Sequence, residues 1–316
     1  MEARDFVPIR VSTLRGDTKI NFDAFVHVAG KHILYCKTGD SFEGSRLQKF
    51  KEKKIKKLYI LTEHEEKYRE YMTKNIEMAY DKNSGKSLDS RTEIIQGAQQ
   101  AAAEEVMDNP EDGVAYDLAK IGSEKYVNFI LDEKEAMQAI MNIKNTDQSI
   151  AHHGVTVAAI AVAMAEKQKL HETEKLELLS LGCLLHDIEH THTGLKVGRP
   201  LKELSNDELR VYKKHPADAL ERLKKHKHFD TVVLDIIYNH EETIDGNGFP
   251  NKKKEKDLSP LCQIASVSNS YDRLMSFEAV ADQKEALKKL LVDKMGLHSL
   301  KNLQTLQNVL KERSVV

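Results

Sequence analysis

The sequence predicts a mainly α protein, a helical bundle domain preceded by a small mixed α/β unit and a helical connector. Three observations carry this. Period-two apolar alternation, the mark of a half-buried strand, is confined to residues 1–62. From His64 onward the apolar spacing becomes helical. Further on, an apolar run (Leu176, Leu178, Leu179, Leu181, Leu184, Leu185) stops abruptly at His186-Asp187, where unpaired buried charge would be costly without a cation to meet it. The boundaries follow as 1–62 for the mixed unit, 63–145 for the connector and 146–316 for the helical domain.

In the first unit, Ile20, Phe22, Ala24, Val26 and Val28 alternate with polar neighbours, Gly30-Lys31 reads as a turn, and His32–Cys36 as the returning strand of a hairpin. Leu47, Phe50 and Ile55 predict a short basic helix, with Lys51–Lys57 as its solvated face, and Leu58–Leu61 a further strand. In the connector, Tyr68, Tyr71, Met72, Ile76 and Tyr80 share a helical face. Ser90 with Glu93 reads as a capping box opening a helix to about Asp108, Asn109-Pro110 breaks it, and 114–145 supplies one or two more helices.

Asp147 is the expected N-cap of a buried Ala/Val-rich helix through His152-His153. A helix over 172–187 follows, then a loop with Gly194, Gly198 and Pro200. Ser205 with Glu208 caps a helix expected to end at His215, with Pro216 opening its successor. Helices over 231–240 and 259–276, a polar loop over 245–256 and two amphipathic helices after Gln283 complete the chain.

Composition excludes several classes. With 40% hydrophobic and 31% charged residues and a formal charge of -2, there is no bulk electrostatic case for DNA or membrane binding. No run approaches the ~18 apolar residues of a membrane span, and the acidic N-terminus is no secretory signal, so the cytoplasm is expected. Cys36, Cys183 and Cys262, odd in number and set in apolar surroundings, read as buried thiols.

Ten of the fourteen histidines lie between His152 and His240, which directs attention to their spacing. His153, His186-Asp187, His215, His240 and Asp272 fall on or at the ends of apolar helices, a pattern that suits a paired-metal site in which a carboxylate bridges two cations.

That order across helices resembles the HD superfamily of metal-dependent phosphohydrolases. The stretch Asn239-His240-Glu241-Glu242-Thr243-Ile244-Asp245-Gly246-Asn247-Gly248-Phe249-Pro250 resembles the His-His-Glu…Asp-Gly-x-Gly-Tyr-Pro signature of its HD-GYP subfamily. Asp272-Arg273-Leu274-Met275 stands where that subfamily has Asp-Ala-Leu-Thr. The match covers roughly residues 145–280; the N-terminal Gly39-Asp40-Ser41-Phe42 resembles, more faintly, a unit that precedes some members. The resemblance implies a cyclic di-GMP phosphodiesterase. It also implies two divalent metal ions, iron first and manganese as the alternative, held by His153, His186, Asp187, His215, His240 and Asp272. Asp187 would bridge, and a hydroxide between the metals would attack phosphorus in line. His152 competes for the first position; His153 is preferred because Val157 then falls where the family has valine.

The departures shape the expectation. Asn239 stands for the first histidine of the His-His pair. Ser149 replaces a glutamate of trinuclear members, which favours two metals. Phe249 replaces the signature tyrosine, and Phe277-Glu278-Ala279 stands near the family's Arg-Pro-Tyr. His190 occupies the place of the lysine of His-Asp-x-Gly-Lys, which would meet a phosphate; with Asp187 it is the expected catalytic pair. Lys196, Arg199, Lys213 and Lys214 are the nearest cations able to replace that lysine, and Gly248 and Phe249 complete the expected substrate contacts to a cyclic dinucleotide or other phosphodiester. His192 reads as an exposed loop residue. The rival expectations are a receptor or scaffold that binds metal without turnover and signals to a protein partner through its N-terminal unit, and an HD phosphohydrolase for another nucleotide.

Overall fold

The computed structural model describes residues 5–146, 148–172, 175–278 and 280–316. The chain forms two compact units, Met1–Ala101 and Ala102–Val316.

The first unit is built on an antiparallel sheet of β1 (Phe6–Arg10), β2 (Ala24–Val28), β3 (Lys31–Cys36) and β4 (Lys57–Leu61), in the order β1-β4-β2-β3. The hairpin of β2 and β3 is the expected one, although its first strand begins at Ala24; Ile20 and Phe22 are buried from the preceding loop. β1 adds a fourth strand to the three that the sequence predicts. Its Pro8 can donate no ladder bond, and the strand lies at the sheet edge, where that loss is tolerated. The short helix α1 (Arg46–Glu52) ends before most of the lysine run, which continues through a turn with Lys54 at φ 54° into β4, so the run is solvated but only its start is helical. One sheet face packs Ile9, Ala24, Leu58 and Ile60 against Phe22, Phe42, Phe50 and Tyr71.

Tyr71, with Tyr68 and Met72 beside it, belongs to α2 (Glu65–Tyr80) and packs into this core. The chain therefore divides inside α3 (Leu88–Asp108), between Ala101 and Ala102, whereas the sequence set boundaries at 62 and 145. The start of α3 also differs: Ser87 Oγ accepts from the Ser90 amide at 3.2 Å, and Ser90 itself lies within the helix.

The second unit is helical. Beyond the end of α3 come α4 (Gly113–Asp132), α5 (Ala136–Asn142), α6 (Ile150–Lys167), α7 (Leu176–Leu185), α8 (Asn206–Leu223), α9 (Thr231–Asn239), α10 (Pro260–Ser276), α11 (Gln283–Asp293) and α12 (Leu300–Glu312). α6 is buried from Ala151 to Ala165, which its run of alanine and valine permits, and it packs against α4, α5, α7, α10 and α12. Asp147, its expected cap, lies outside the described residues; Ser149 Oγ accepts from the His152 amide and performs that role.

α6 and α7 approach closely because Gly154 has no side chain. A Cβ there would lie 2.6 Å from the Leu184 carbonyl oxygen. The Ser205–Glu208 capping box is present, but α8 does not end at His215; it runs on through Pro216. A proline in a helix interior withholds one amide proton from the carbonyl four residues back. Here that carbonyl belongs to Tyr212 and accepts instead from His215 Nδ1 at 2.7 Å. The three cysteines are buried and free.

Candidate metal centre

Seven side chains converge in the second unit. His153 comes from the middle of α6, His186 and Asp187 from the end of α7, and His190 from the short 3₁₀ turn Ile188–Thr191. His215 comes from α8, His240 from the end of α9 and Asp272 from α10. All seven are buried. Their spacing defines two triads that share one carboxylate, His153–His186–Asp187 and Asp187–His215–His240. Asp187 faces them with different oxygens. Oδ2 lies 3.5 Å from His186 Nε2, while Oδ1 lies 3.3 Å from His215 Nε2 and 3.5 Å from His240 Nε2.

Three of the imidazoles are oriented by one device. His186, His215 and His240 each place Nδ1 on the carbonyl three residues back, Cys183 at 2.6 Å, Tyr212 at 2.7 Å and Ile237 at 2.8 Å. Two of these carbonyls lie in the last turn of a helix, where they lack an intrahelical partner, and the third is released by Pro216. Fixing the Nδ1 proton leaves Nε2 of each ring to point inward, the arrangement in which a second partner sets the tautomer of a metal-binding histidine. His186 Nε2 has no hydrogen-bond partner, and neither has either nitrogen of His190. His215 and His240 bring their Nε2 atoms to 2.9 Å. With both Nδ1 atoms donating outward, that contact requires a proton or a cation in it. The donor set of imidazole nitrogens around a shared carboxylate thus fits divalent transition metals.

The electrostatics agree. Burial alone would raise the Asp187 carboxyl; His186, His215, His240 and His190 override it and hold it well below the usual range. Burial pushes His186 down to about 3 and, with His215 beside it, holds His190 well below its ordinary value. His240 is the exception: burial lowers it, but Asp187 and Glu241 raise it more.

Of the competing first positions, His153 is in the cluster, whereas His152 Nε2 bonds the Ile143 carbonyl at 3.0 Å. Asp272, the sixth expected ligand, lies outside both triads; its Oδ2 is 2.6 Å from His153 Nδ1, and the other ring nitrogen lies 2.9 Å from Asn269 Oδ1. Phe249 packs edge-on against Tyr212 and His215, and Gly248 is buried where a Cβ would clash with the Thr243 amide. His192 is exposed, as expected.

Two expectations need correction. His190, held neutral by burial, cannot take over the charge of a lysine, and it stacks on Tyr212. Lys196, Lys213 and Lys214 are exposed, and Arg199 is spent on Glu208, so no contact among the described residues brings these four cations to the cluster. Asn239 donates its amide nitrogen to Asp235 and leaves its Oδ1 buried without a hydrogen-bond partner, while Glu241, on the other side of His240, accepts from the Tyr212 hydroxyl at 2.5 Å. Arg273, which no spacing argument singled out, is buried beside the cluster; its signal was a cation inside an apolar helix, directly after Asp272.

A helical bundle that draws His, His-Asp, His, His and Asp from successive helices around one carboxylate is the architecture of a metal-binding domain of the HD type. The sequence profile described as HD domain matches residues 136–296. The structure resembles that of Bd1817, described as an HDG"Y"P protein, from Bdellovibrio bacteriovorus. The TM-score is 0.91 at 49% identity, covering 97% of this chain and 100% of that one. Among curated proteins, the cyclic di-GMP phosphodiesterase PA4108 of Pseudomonas aeruginosa is 26% identical over 147 residues, 46% of this chain and 35% of that protein. The cyclic di-GMP phosphodiesterase PdeB of Borreliella burgdorferi is 24% identical over 123 residues, 39% of this chain and 32% of that protein. The matched segments span about a third of the length of these curated relatives. The chain belongs to the HD-GYP type of the HD domain superfamily. No helix among the described residues is long and apolar enough to cross a membrane.

Proposed function

We propose that this chain is a metal-dependent phosphodiesterase that hydrolyses cyclic di-GMP in the cytoplasm. The observation that carries the reading is the Asp187 carboxylate, which offers one oxygen to His186 and the other to His215 and His240. His153, His186 and Asp187 would hold one divalent ion, and Asp187, His215 and His240 a second, with iron or manganese as the metals. Asp272 orients His153, and His190 is a further ligand or a neutral hydrogen-bond partner for the substrate. Bound there, the two cations would supply an activated water and offset the charge developing on the phosphoryl oxygens. This chain's own residues fix ring tautomers, exclude water from the ligands and place Phe249 over the His215 side.

The test is to load the protein with Fe(II) or Mn(II) and follow cyclic di-GMP alongside a panel of nucleotides and generic phosphodiesters. The reading expects linear dinucleotide or GMP, lost in His186→Ala. No turnover with any metal would overturn it.

A second reading, a receptor that binds the dinucleotide without cleaving it, is favoured by the neutral His190 and by Phe249 in place of a tyrosine. In that case the exposed Val28 at the end of β2, with Ile33, Leu34 and Tyr35 of the edge strand β3, would meet a protein partner. Tight binding without product would establish it.

A further inference from the structure

We propose that Arg273 is the cation that receives a phosphate oxygen at this site, an inference that rests on reading the cluster as a phosphate-ester site. Arg273 is only 8% exposed. Its Nε has no hydrogen-bond acceptor, and the ion pair recorded for it is a loose one, 3.8 Å to Glu278 Oε1. Glu278 meanwhile accepts from the Leu201 amide at 3.0 Å. A buried guanidinium with unmet donors is costly unless something completes its shell.

What surrounds Arg273 says where the missing acceptor belongs. Its Cζ lies 5.1 Å from the Tyr212 ring centroid and 5.4 Å from that of Phe277, so two aromatic rings hold the guanidinium. Those same rings touch the two halves of the cluster. Tyr212 lies 5.2 Å from the His215 ring, and Phe277 lies 5.0 Å from the His153 ring. Arg273 follows Asp272 directly on α10, so its backbone is fixed by the helix that places the carboxylate behind His153.

Other cations near the site are committed or exposed. Arg222 and Arg199 each keep one nitrogen without a partner but are held in close ion pairs, Arg222 with Glu189 at 3.0 Å and Arg199 with Glu208, and Lys196, Lys213 and Lys214 are exposed. A guanidinium held in one plane offers paired N–H donors that match two phosphate oxygens, which a lysine does not. The ligand it fits is a phosphate ester whose remaining oxygens meet the metals. Aromatic packing alone would also account for burial of the side chain, and phosphate binding separates the two accounts.

The experiment uses the full chain loaded with Mn(II), titrated calorimetrically with inorganic phosphate, with metal content and thermal midpoint measured on each variant. Arg273→Met is expected to weaken phosphate binding by about tenfold or more with metal content unchanged, and Arg273→Lys to recover part of the loss. Unchanged phosphate affinity in folded, metal-replete Arg273→Met would overturn the proposal, as would a wild-type protein that takes up no phosphate. Should Arg273→Met lose its metal or fold poorly, Glu278→Gln decides. Removing the carboxylate that forms the ion pair with Arg273 is expected to tighten phosphate binding severalfold, and no change would overturn the proposal. A wild-type protein that binds phosphate through Arg273 yet neither binds nor cleaves cyclic di-GMP would remove the proposed function and leave this inference standing. Hydrolysis of cyclic di-GMP with phosphate affinity indifferent to Arg273 would do the reverse.

Discussion

His215 and His240 stand Nε2 to Nε2 at 2.9 Å, each having committed Nδ1 to a backbone carbonyl of its own helix. Neither ring can rotate away without giving up that bond, so the pair is held ready for a positive charge between it and Asp187. Because His240 is raised above its ordinary value, a proton competes with a metal ion for this position. Metal binding here should release a proton, and affinity should fall about tenfold per pH unit below the His240 pKa. Calorimetric titration of Mn(II) in buffers of different ionisation enthalpy measures both effects. An affinity independent of pH between 6 and 8 would contradict the assignment of His240.

Pro216 leads to a second expectation. By withholding its amide proton it leaves the Tyr212 carbonyl to His215 Nδ1. Pro216→Ala restores a competing donor while removing a helix-interior proline, which costs about 3 kcal/mol where nothing compensates. The variant should be more stable, by about 1–2 kcal/mol in this adapted setting, yet hold the metal on the His215 side severalfold less tightly. Chemical denaturation with chelated protein and metal titration of the same sample measure the two terms. A rise in both would show that the proline plays no part in orienting His215.

Gly154 offers the opposite sign. Glycine to alanine within a helix ordinarily stabilises by up to about 1 kcal/mol. Here the added Cβ would lie 2.6 Å from the Leu184 oxygen and 3.1 Å from that of Cys183. Both are backbone atoms, so the end of α7 would have to move, and with it the Cys183–His186 bond. Gly154→Ala should therefore cost about 1–3 kcal/mol and lower metal content on the His186 side. A stabilised variant with full metal occupancy would refute the close packing of α6 on α7.

The cluster is legible because apolar helices that end in histidine and aspartate leave few alternatives and the motif order resembles a known family; five of the six expected ligands fall in the two triads, while Asp272 lies against His153. What escaped was whatever depends on packing between helices. Arg273 was visible as an oddity beside Asp272, but its aromatic clamp combines α8, α10 and Phe277, which no local pattern links. Pro216 reads as a helix boundary in the sequence because a proline there loses one helix bond, and the side chain that takes over the carbonyl is not visible in local pattern. Proximity in sequence points to Lys196, Arg199, Lys213 and Lys214, whereas their exposure and the Arg199–Glu208 pair take them out of contention. β1 is not legible for a similar reason, since only its edge position makes Pro8 acceptable.

His298 gives a prediction about stability that is separate from the metal ligands. It is buried, its Nε2 3.0 Å from Ser270 Oγ, and burial together with Lys294 pushes its pKa down to about 4. In the unfolded chain it titrates near 6.5, so between these values the unfolded state binds more protons than the folded one. Stability therefore rises with pH across the window from 4 to 6.5, and the protonation of His298 on unfolding costs the fold up to on the order of 3 kcal/mol at the acid end. His298→Gln retains a side chain able to bond Ser270 and removes the titration. Urea denaturation of both proteins in chelator at several pH values isolates the effect as a difference. The wild type should lose stability faster than the variant as pH falls from 6.5 to 4, with the two slopes converging above 7. Parallel curves throughout the window would mean that His298 is charged, or solvated, in the folded protein.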